Sequence, residues 1–194
     1  AEGGGTVTVD NSGSIDVEAI ALYEASGRGD SGGDGYGEVY MTLDPTVSAA
    51  GILVGNAGSC AIHNQAGSTI SVDAQLNAKL SLNGDEYAVI GRNWDHGIEA
   101  EITADGIAAG NGQAAISNDG TIQVTLDSYI DGRTHSRSTT RSTHTYAWMT
   151  SVATAVGIRA GNGAHSIDNT GFISVAAFNT VLGNINHTAS DLSL

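Results

Sequence analysis

Apolar and polar residues alternate along several stretches of the chain, which is the period of a strand with one buried face. These stretches form two sets, separated by turn-rich tips. The outgoing set is Ile15, Val17, Ala19 and Ala21; Ile70, Val72, Ala74, Leu76, Ala78 and Leu80; and Ile122, Val124 and Leu126. The returning set is Leu43, Val47 and Ala49; Ile98, Ile102 and Ala104; and Met149, Ala153 and Ala155. Apolar spacing of three and four is nearly absent, so the pattern predicts strands rather than helices.

A repeated unit joins the returning strands to the outgoing ones. Gly51–Val72, Gly106–Val124 and Gly157–Val175 share the order GIxxGN, then IxN, then IxV, whereas Val9–Val17 matches only the second half. The opening glycines are 55 and 51 residues apart. Self-similarity at a fixed period is typical of repeat architectures. The sequence therefore predicts one repetitive β domain over residues 1–194, with about 3.5 repeats of 51–55 residues and corner units at 9–17, 51–72, 106–124 and 157–175.

Turn residues suggest how each repeat is built. Asn83-Gly84 and Asp131-Gly132 are hairpin signals, so we expect an outgoing strand, a tip, a returning strand and a compact corner. The corner asparagines and their neighbouring glycines suit backbone with positive φ, and asparagines in register form amide ladders. These asparagines are Asn11, Asn64, Asn118 and Asn169, and Asn56, Asn111 and Asn162. The expected fold is an all-β, repetitive β-solenoid with hairpin arms; a β-sandwich or jelly-roll is the alternative if the arms dominate.

The pattern GIxAGNG…IxNxGxIxV resembles the repeats of autotransporter passenger domains and related secreted adhesins. That resemblance covers the corner units, about a third of the chain. It implies a right-handed parallel β-helix and a secreted, extracellular or cell-surface location. The chain departs from that family in its regular intervening segments of 33–34 residues, which could instead be hairpin arms.

Composition narrows the classes of partner. Seven basic against 21 acidic residues give a net charge of −14, which argues against nucleic acid and anionic membranes. No apolar run approaches the roughly 18–20 residues of a membrane-spanning helix, so no membrane insertion is expected. The single cysteine, Cys60, excludes an internal disulfide and is expected to be a small buried hydrophobe. A chain that begins Ala-Glu is consistent with a secreted product whose leader has been removed.

Two sets of residues are candidates for chemistry. Arg92, Trp94, Asp95 and His96 in RNWDHG could stack on a sugar and supply an acid, although a polar bend is the plainer interpretation. Asp30, Asp34 and Glu38 are hard oxygen ligands in a glycine-rich loop, which predicts calcium there unless the loop is only solvated. Neither a GxSxG nor a P-loop string occurs. We therefore expect no catalysis and no cofactor other than calcium, with carbohydrate binding or cleavage as the alternative function.

The ends of the chain suggest self-assembly. The half unit after Thr6, Val7 and Val9 lacks the GIxAGNG portion, and the segment Val181, Leu182, Gly183 and Asn184 echoes Leu53–Asn56. This echo predicts that the C-terminal segment supplies the missing piece of a neighbouring molecule; a frayed tail is the alternative. The expected function is a secreted structural protein that polymerises head to tail, by strand donation between subunits, into an extracellular filament or surface layer that could also be adhesive. Its expected partners are further copies of itself, with surface glycans or other matrix proteins as further candidates.

Overall fold

The computed structural model describes residues 5–29, 37–39, 41–56, 58–84, 88–90, 97–138 and 148–189, and the regular structure in these ranges is β-strand. Along these strands every second residue faces inward, and most of the inward residues are apolar, a pattern that suits a half-buried strand. The strands are β1 (Thr6–Asn11), β2 (Ser14–Gly29), β3 (Gly37–Val39), β4 (Thr42–Leu43), β5 (Thr46–Val54), β6 (Ser59–Asn64), β7 (Thr69–Gly84), β8 (Ala88–Ile90), β9 (Gly97–Ala109), β10 (Gln113–Asn118), β11 (Thr121–Ser138), β12 (Trp148–Ala160), β13 (His165–Asn169) and β14 (Phe172–Ala189).

Three parallel sheets, two with four layers of strands and one with three, make up most of the described structure. Sheet A has the order β1-β6-β10-β13, sheet B the order β2-β7-β11-β14, and sheet C places β4 and β5 on one side of β9 and β12 on the other. β3 and β8 form a short fourth pair. The chain passes through A, B and C in turn and then returns to A beside its previous pass. The predicted β-solenoid is confirmed, and each repeat of 51–55 residues is one rung.

The two arms of each rung do not pair with each other as the strands of a hairpin do. The outgoing strand lies in sheet B and the returning strand in sheet C, and the two pack face to face across the core. Asp131 and Gly132 lie inside β11, where they pair in parallel with Lys79 and Leu80 of the rung below. Parallel neighbours satisfy the backbone at these positions, so the tertiary register overrides the local turn preference.

The core consists of stacked columns of aliphatic side chains. Ile70 and Ile122 are fully buried in sheet B, and Ile98, Ile102 and Ile107 are fully buried opposite them in sheet C. Cys60 is a buried free thiol, as predicted, and burial raises the pKa of that thiol. Within the described ranges, no helix is long and apolar enough to span a membrane.

The glycines that open the repeat units are explained by close packing. A Cβ on Gly106 would lie 2.3 Å from Ile122 Cγ2 and 2.5 Å from the carbonyl oxygen of Gly157. Gly51 and Gly157 meet Ile70 and Ile173 in the same way. Each glycine therefore allows the end of a returning strand to cross directly over the first isoleucine of the next outgoing strand, which accounts for their recurrence in the sequence.

Candidate functional site

The two ends of the solenoid differ from its middle in their exposed apolar side chains. We refer to β1, β2, β4 and β5 as the first-end strands, to β12, β13 and β14 as the last-end strands, and to β6, β7, β9, β10 and β11 as the middle strands. Every exposed large apolar side chain in the described part of the molecule lies on an end strand. Those on the first end are Ile20, Leu22, Tyr23 and Leu53, and those on the last end are Val152, Ile167, Phe172, Val175, Phe178, Val181, Leu182 and Ile185.

The outer face of sheet B shows this difference most directly. Ile20 of β2 is 62% exposed and Phe178 of β14 is 60% exposed. The same column of the sheet carries Gln75 in β7 and Asp127 in β11. All outward positions of β7 from Ser71 to Asn83 are polar. Apart from the half-buried Tyr129 of β11, the outer face is thus polar in the middle of sheet B and partly apolar at both of its edges.

The inner row of β14 is also open to solvent. Val175 and Val181 pair with the buried Val124 and Ile130 of β11, yet they are 44% and 42% exposed. These side chains occupy core columns at a position where, among the described residues, no further strand covers them. A strand with such an edge is a template for pairing with another chain.

Backbone groups along this edge alternate in direction. The N–H of Phe172 donates to the carbonyl of Gly120 at 2.8 Å, so the backbone N–H and C=O groups of Phe172 face β11. In a parallel strand, alternate residues point toward opposite neighbours, which directs the N–H groups of Ile173, Val175 and Ala177 to the free edge of β14. On β2 the phase is reversed, because Thr69 donates to the carbonyl of Gly13 at 2.9 Å. The even-numbered residues of β2, including Glu18, therefore face its free edge.

An asparagine ladder runs through the corner beside sheet A. Asn11 donates to the Oδ1 of Asn64 at 2.8 Å, Asn64 to Asn118 at 2.7 Å, and Asn118 to Asn169 at 2.6 Å. Asn64 and Asn118 are completely buried, which makes these amide bonds costly to lose. The predicted ladder is confirmed, and all of its bonds have the same direction. At the last end, the Nδ2 of Asn169 donates to the carbonyl of Gly171 at 3.3 Å.

A second ladder stands at the other corner. The backbone N–H of Asn111 donates to the Oδ1 of Asn56 at 3.1 Å, and that of Asn162 donates to Asn111 at 2.9 Å. Positive φ occurs at the glycines that follow, with φ of 130° at Gly112 and 152° at Gly163. The asparagines therefore link successive rungs, and their glycine neighbours provide the turn.

A groove of about 440 Å³ lies on the outer face of sheet A. Its floor is a column of small residues, and His63 stands beside it with Nε2 3.0 Å from Asp119 and Nδ1 3.5 Å from Asp10. A hydrogen bond donated by Thr170, with a second from His63, holds the pKa of Asp119 below its usual value. No aromatic side chain lines this groove. The lining residues are Thr8, Val9, Asp10, Ala61, Ile62, His63, Ala115, Ile116, Ser117, Ser166 and Asp168.

Most residues of the predicted calcium and carbohydrate sites lie outside the residues that the structure describes. Asp30, Asp34 and the whole of RNWDHG lie outside those residues, and Glu38 is described only as backbone in β3. Across the described ranges, no group of three or more His, Cys, Asp or Glu side chains could hold a metal ion.

The predicted assembly residues lie on edge strands. Thr6, Val7 and Val9 belong to β1 at the edge of sheet A. The segment from Val181 to Asn184 lies within β14 and pairs with residues 130–133 of β11. Its resemblance to the corner at 53–56 is therefore misleading, because an 18-residue strand continues straight through it.

Sequence reasoning missed two features of the site. Ile20, Leu22 and Phe178 escaped notice, although a comparison of outward positions between repeats would have revealed them as apolar substitutions. The other feature is Asp105 of β9, whose carboxylate lies 2.7 Å from Arg159. Burial raises the pKa of Asp105, and the nearby guanidinium partly offsets this rise.

No family model, curated protein or solved structure matches this chain. Its class rests on its own geometry, which is that of a parallel β-solenoid with one rung per repeat. The candidate functional site is the pair of apolar strand edges at its two ends.

Proposed function

We propose that this protein is a secreted structural subunit that assembles head to tail into an extracellular filament or surface layer. The observation that carries the proposal is the confinement of exposed large apolar side chains to the end strands among the described residues. Natural sheets usually protect their edges with charge, proline or a covering segment. Here the edges carry Ile20, Phe178 and Leu182, whereas the middle of the same face carries polar residues.

A second copy of the chain is the partner that these edges fit best. β2 has 16 residues and β14 has 18, and both belong to sheet B with the same chain direction. Placing β2 of one copy on β14 of another would continue an arrangement that the molecule already repeats between its own rungs. The heterologous contact that results leaves one free edge at each end, so that addition can continue into a filament.

The mechanism we propose uses the whole edge rather than a donated tail. Residues 181–184 already pair with β11 along one side of β14. A transfer of this segment to a neighbour would first break those bonds, whereas stacking on its free side costs none of them. Strand addition supplies main-chain hydrogen bonds for affinity, and side-chain columns provide specificity.

Location and adhesion are the less direct parts of the proposal. The acidic, glycine-rich composition and the likeness of the corner units to secreted adhesins support an extracellular role. Among the described residues, carbohydrate binding finds support in the groove beside His63, whose lining has no Phe, Tyr or Trp to stack on a sugar ring. Structural assembly therefore accounts for more of the molecule.

Proline variants of the two edges test the proposal. Ala177→Pro removes one free-edge N–H from β14, and Glu18→Pro removes one from β2; neither N–H bonds within the subunit. We expect filaments of the wild-type chain in negative-stain electron microscopy, and monomers of each variant in sedimentation velocity. A 1:1 mixture should form dimers only, because each variant retains the edge that the other has lost. Ala177→Ser, which keeps the N–H, should form filaments.

The proline variants must also be shown to fold. Thermal unfolding of each monomeric variant would show that its fold is intact. A wild-type chain that stays monomeric at high concentration would overturn the proposal, as would filaments formed equally well by both proline variants.

A further inference from the structure

We infer that the joint between copies has a single register, in which Asn169 of one copy lies over Asn11 of the next and Phe178 lies over Ile20. This inference rests on the proposed function and names its interface in residue detail. The register is the one that the molecule already uses between its rungs, where Asn11, Asn64, Asn118 and Asn169 occupy one column.

Backbone hydrogen bonding is the first reason. Between successive rungs of sheet B, the first residue of each upper strand donates to the residue preceding the strand below: Thr69 to Gly13, Thr121 to Ser68 and Phe172 to Gly120. Continuing this series, Ser14 of the second copy would donate to the carbonyl of Gly171. The odd residues of β14 and the even residues of β2 both face the joint, so donors and acceptors meet along its length.

The asparagine ladder is the second reason. Its bonds all run from the Nδ2 of one rung to the Oδ1 of the next, which leaves the Nδ2 of Asn169 at the last end and the Oδ1 of Asn11 at the first. That oxygen accepts one hydrogen bond, from the N–H of Gly13 at 3.2 Å, and a carbonyl oxygen can accept two. The joint would therefore add one more bond to the ladder, in the same direction.

Packing is the third reason. In this register Ile173 and Val175 cover Ile15 and Val17 in the core columns, while Phe178 meets Ile20 on the outer face. A slip of one residue would turn every inward side chain outward. A slip of two would place the amide of Asn169 against Val9 or Gly13 and end the ladder.

One contact opposes the joint. The column that contains Asp10, His63, Ser117 and Asp168 would place the Asp168 carboxylate beside Asp10 of the second copy. Like charges directly opposite each other in a sheet are destabilising. Asp168→Asn should therefore lower the concentration needed for assembly more than Asp127→Asn does, since the latter removes the same charge from a middle strand.

Disulfide trapping tests the register. In a Cys60→Ala background, Glu18→Cys combined with Ala176→Cys places two outward thiols in register across the joint. Oxidised filaments should give a ladder of covalent multimers on a non-reducing gel. The control combines Glu18→Cys with Thr180→Cys, which lies four residues further along β14. It should cross-link at least about tenfold more slowly, because its Cβ atoms would be roughly 13 Å or more apart.

Some results would contradict the proposed register, and one would contradict the proposed function. Filaments in which the control cross-links as fast as the in-register pair, or in which the in-register pair does not cross-link, would overturn the register and leave the proposed function standing. Equal effects of Asp168→Asn and Asp127→Asn would likewise contradict the placement of Asp168 over Asp10. If neither the Cys60→Ala chain nor the wild-type chain assembled, the proposed function itself would be overturned.

Discussion

The middle strands and the end strands share one repeat but present different surfaces. In the middle, each inward column is closed above and below, and the outward residues of β7 are polar. At the ends, equivalent columns are closed on one side only, and outward positions carry Ile20, Leu22 and Phe178. The repeat determines how rungs stack, whereas departures from it at the edges determine what can be added to the stack.

The difference between middle and end strands also predicts different effects of substitution on stability and assembly. A substitution in a middle strand disturbs contacts with two neighbouring rungs, while the equivalent substitution at an end disturbs contacts with one. If the ends are interfaces, end substitutions should change assembly more than the stability of the monomer. Variants at equivalent repeat positions can separate these two effects.

The largest expected difference concerns the glycines that precede two of the outgoing strands, Gly13 before β2 and Gly120 before β11. A Cβ on Gly120 would lie 2.6 Å from the carbonyl oxygens of both Gln65 and Ser68, whereas a Cβ on Gly13 would have nothing within 4 Å. Gly120→Ala should lower the free energy of unfolding by about 3 kcal/mol, because backbone cannot easily move aside. Gly13→Ala should change it by less than about 0.5 kcal/mol. Urea denaturation of both variants checks this, and equal losses would contradict the packing described here.

The asparagine ladder gives the next largest difference. Asn64→Ala removes the side chain that bonds to the Nδ2 of Asn11 and to the Oδ1 of Asn118, so that both buried atoms lose a ladder bond, which should cost about 2 kcal/mol. Asn169→Ala removes the bond from Asn118 and a longer one to the carbonyl of Gly171, both at an exposed residue, and should cost less than about 1 kcal/mol. Equilibrium unfolding under conditions that prevent assembly measures both costs. The interpretation fails if the order is reversed.

The smallest effect depends on pH. Because burial raises the pKa of Asp105, ionisation of this carboxyl costs stability as the pH rises from the unfolded value through the folded one, and Arg159 offsets that cost. Arg159→Met should therefore cost about 1 kcal/mol at pH 7 and almost nothing near pH 3.5, where Asp105 is protonated. Lys79→Met, which removes the exposed pair with Glu24, serves as the control and should show little effect at either pH. A loss for Arg159→Met that is the same at both pH values would exclude this role of Asp105.

Sequence periodicity predicted the fold well because a solenoid repeats its constraints. The two-residue alternation identified the strands, and the spacing of asparagines identified the ladder and hence the stacking of repeats. Sequence periodicity could not distinguish a hairpin from a face-to-face pair of arms. The residue pair Asp131-Gly132 suits a hairpin turn, although its backbone pairs with another rung. Pairing partners in a parallel stack lie some 50 residues away, and local turn chemistry carries no information about them.

The candidate site was less accessible to sequence reasoning. The edge role of β1 followed from the half unit at residues 9–17, but Val181–Asn184 was predicted to supply the missing piece of a neighbour because it echoes Leu53–Asn56, with which it shares only Gly and Asn in register. Whether Phe178 is core or surface depends on strand phase, which the pairing with Asp127 fixes. The Asp105–Arg159 contact joins residues 54 positions apart, and only the stacking of β9 against β12 brings them together.

The one-rung repeat also determines how a polymer of this chain would diffract X-rays. Every rung advances by the spacing of hydrogen-bonded strands, about 4.8 Å, with the strands transverse to the stacking direction. In sheets A and B, which end at β13 and β14, a joint that preserves the register would carry that spacing from subunit to subunit. The fibre would thus give the meridional reflection of cross-β amyloid, although each subunit has a hydrophobic core of its own.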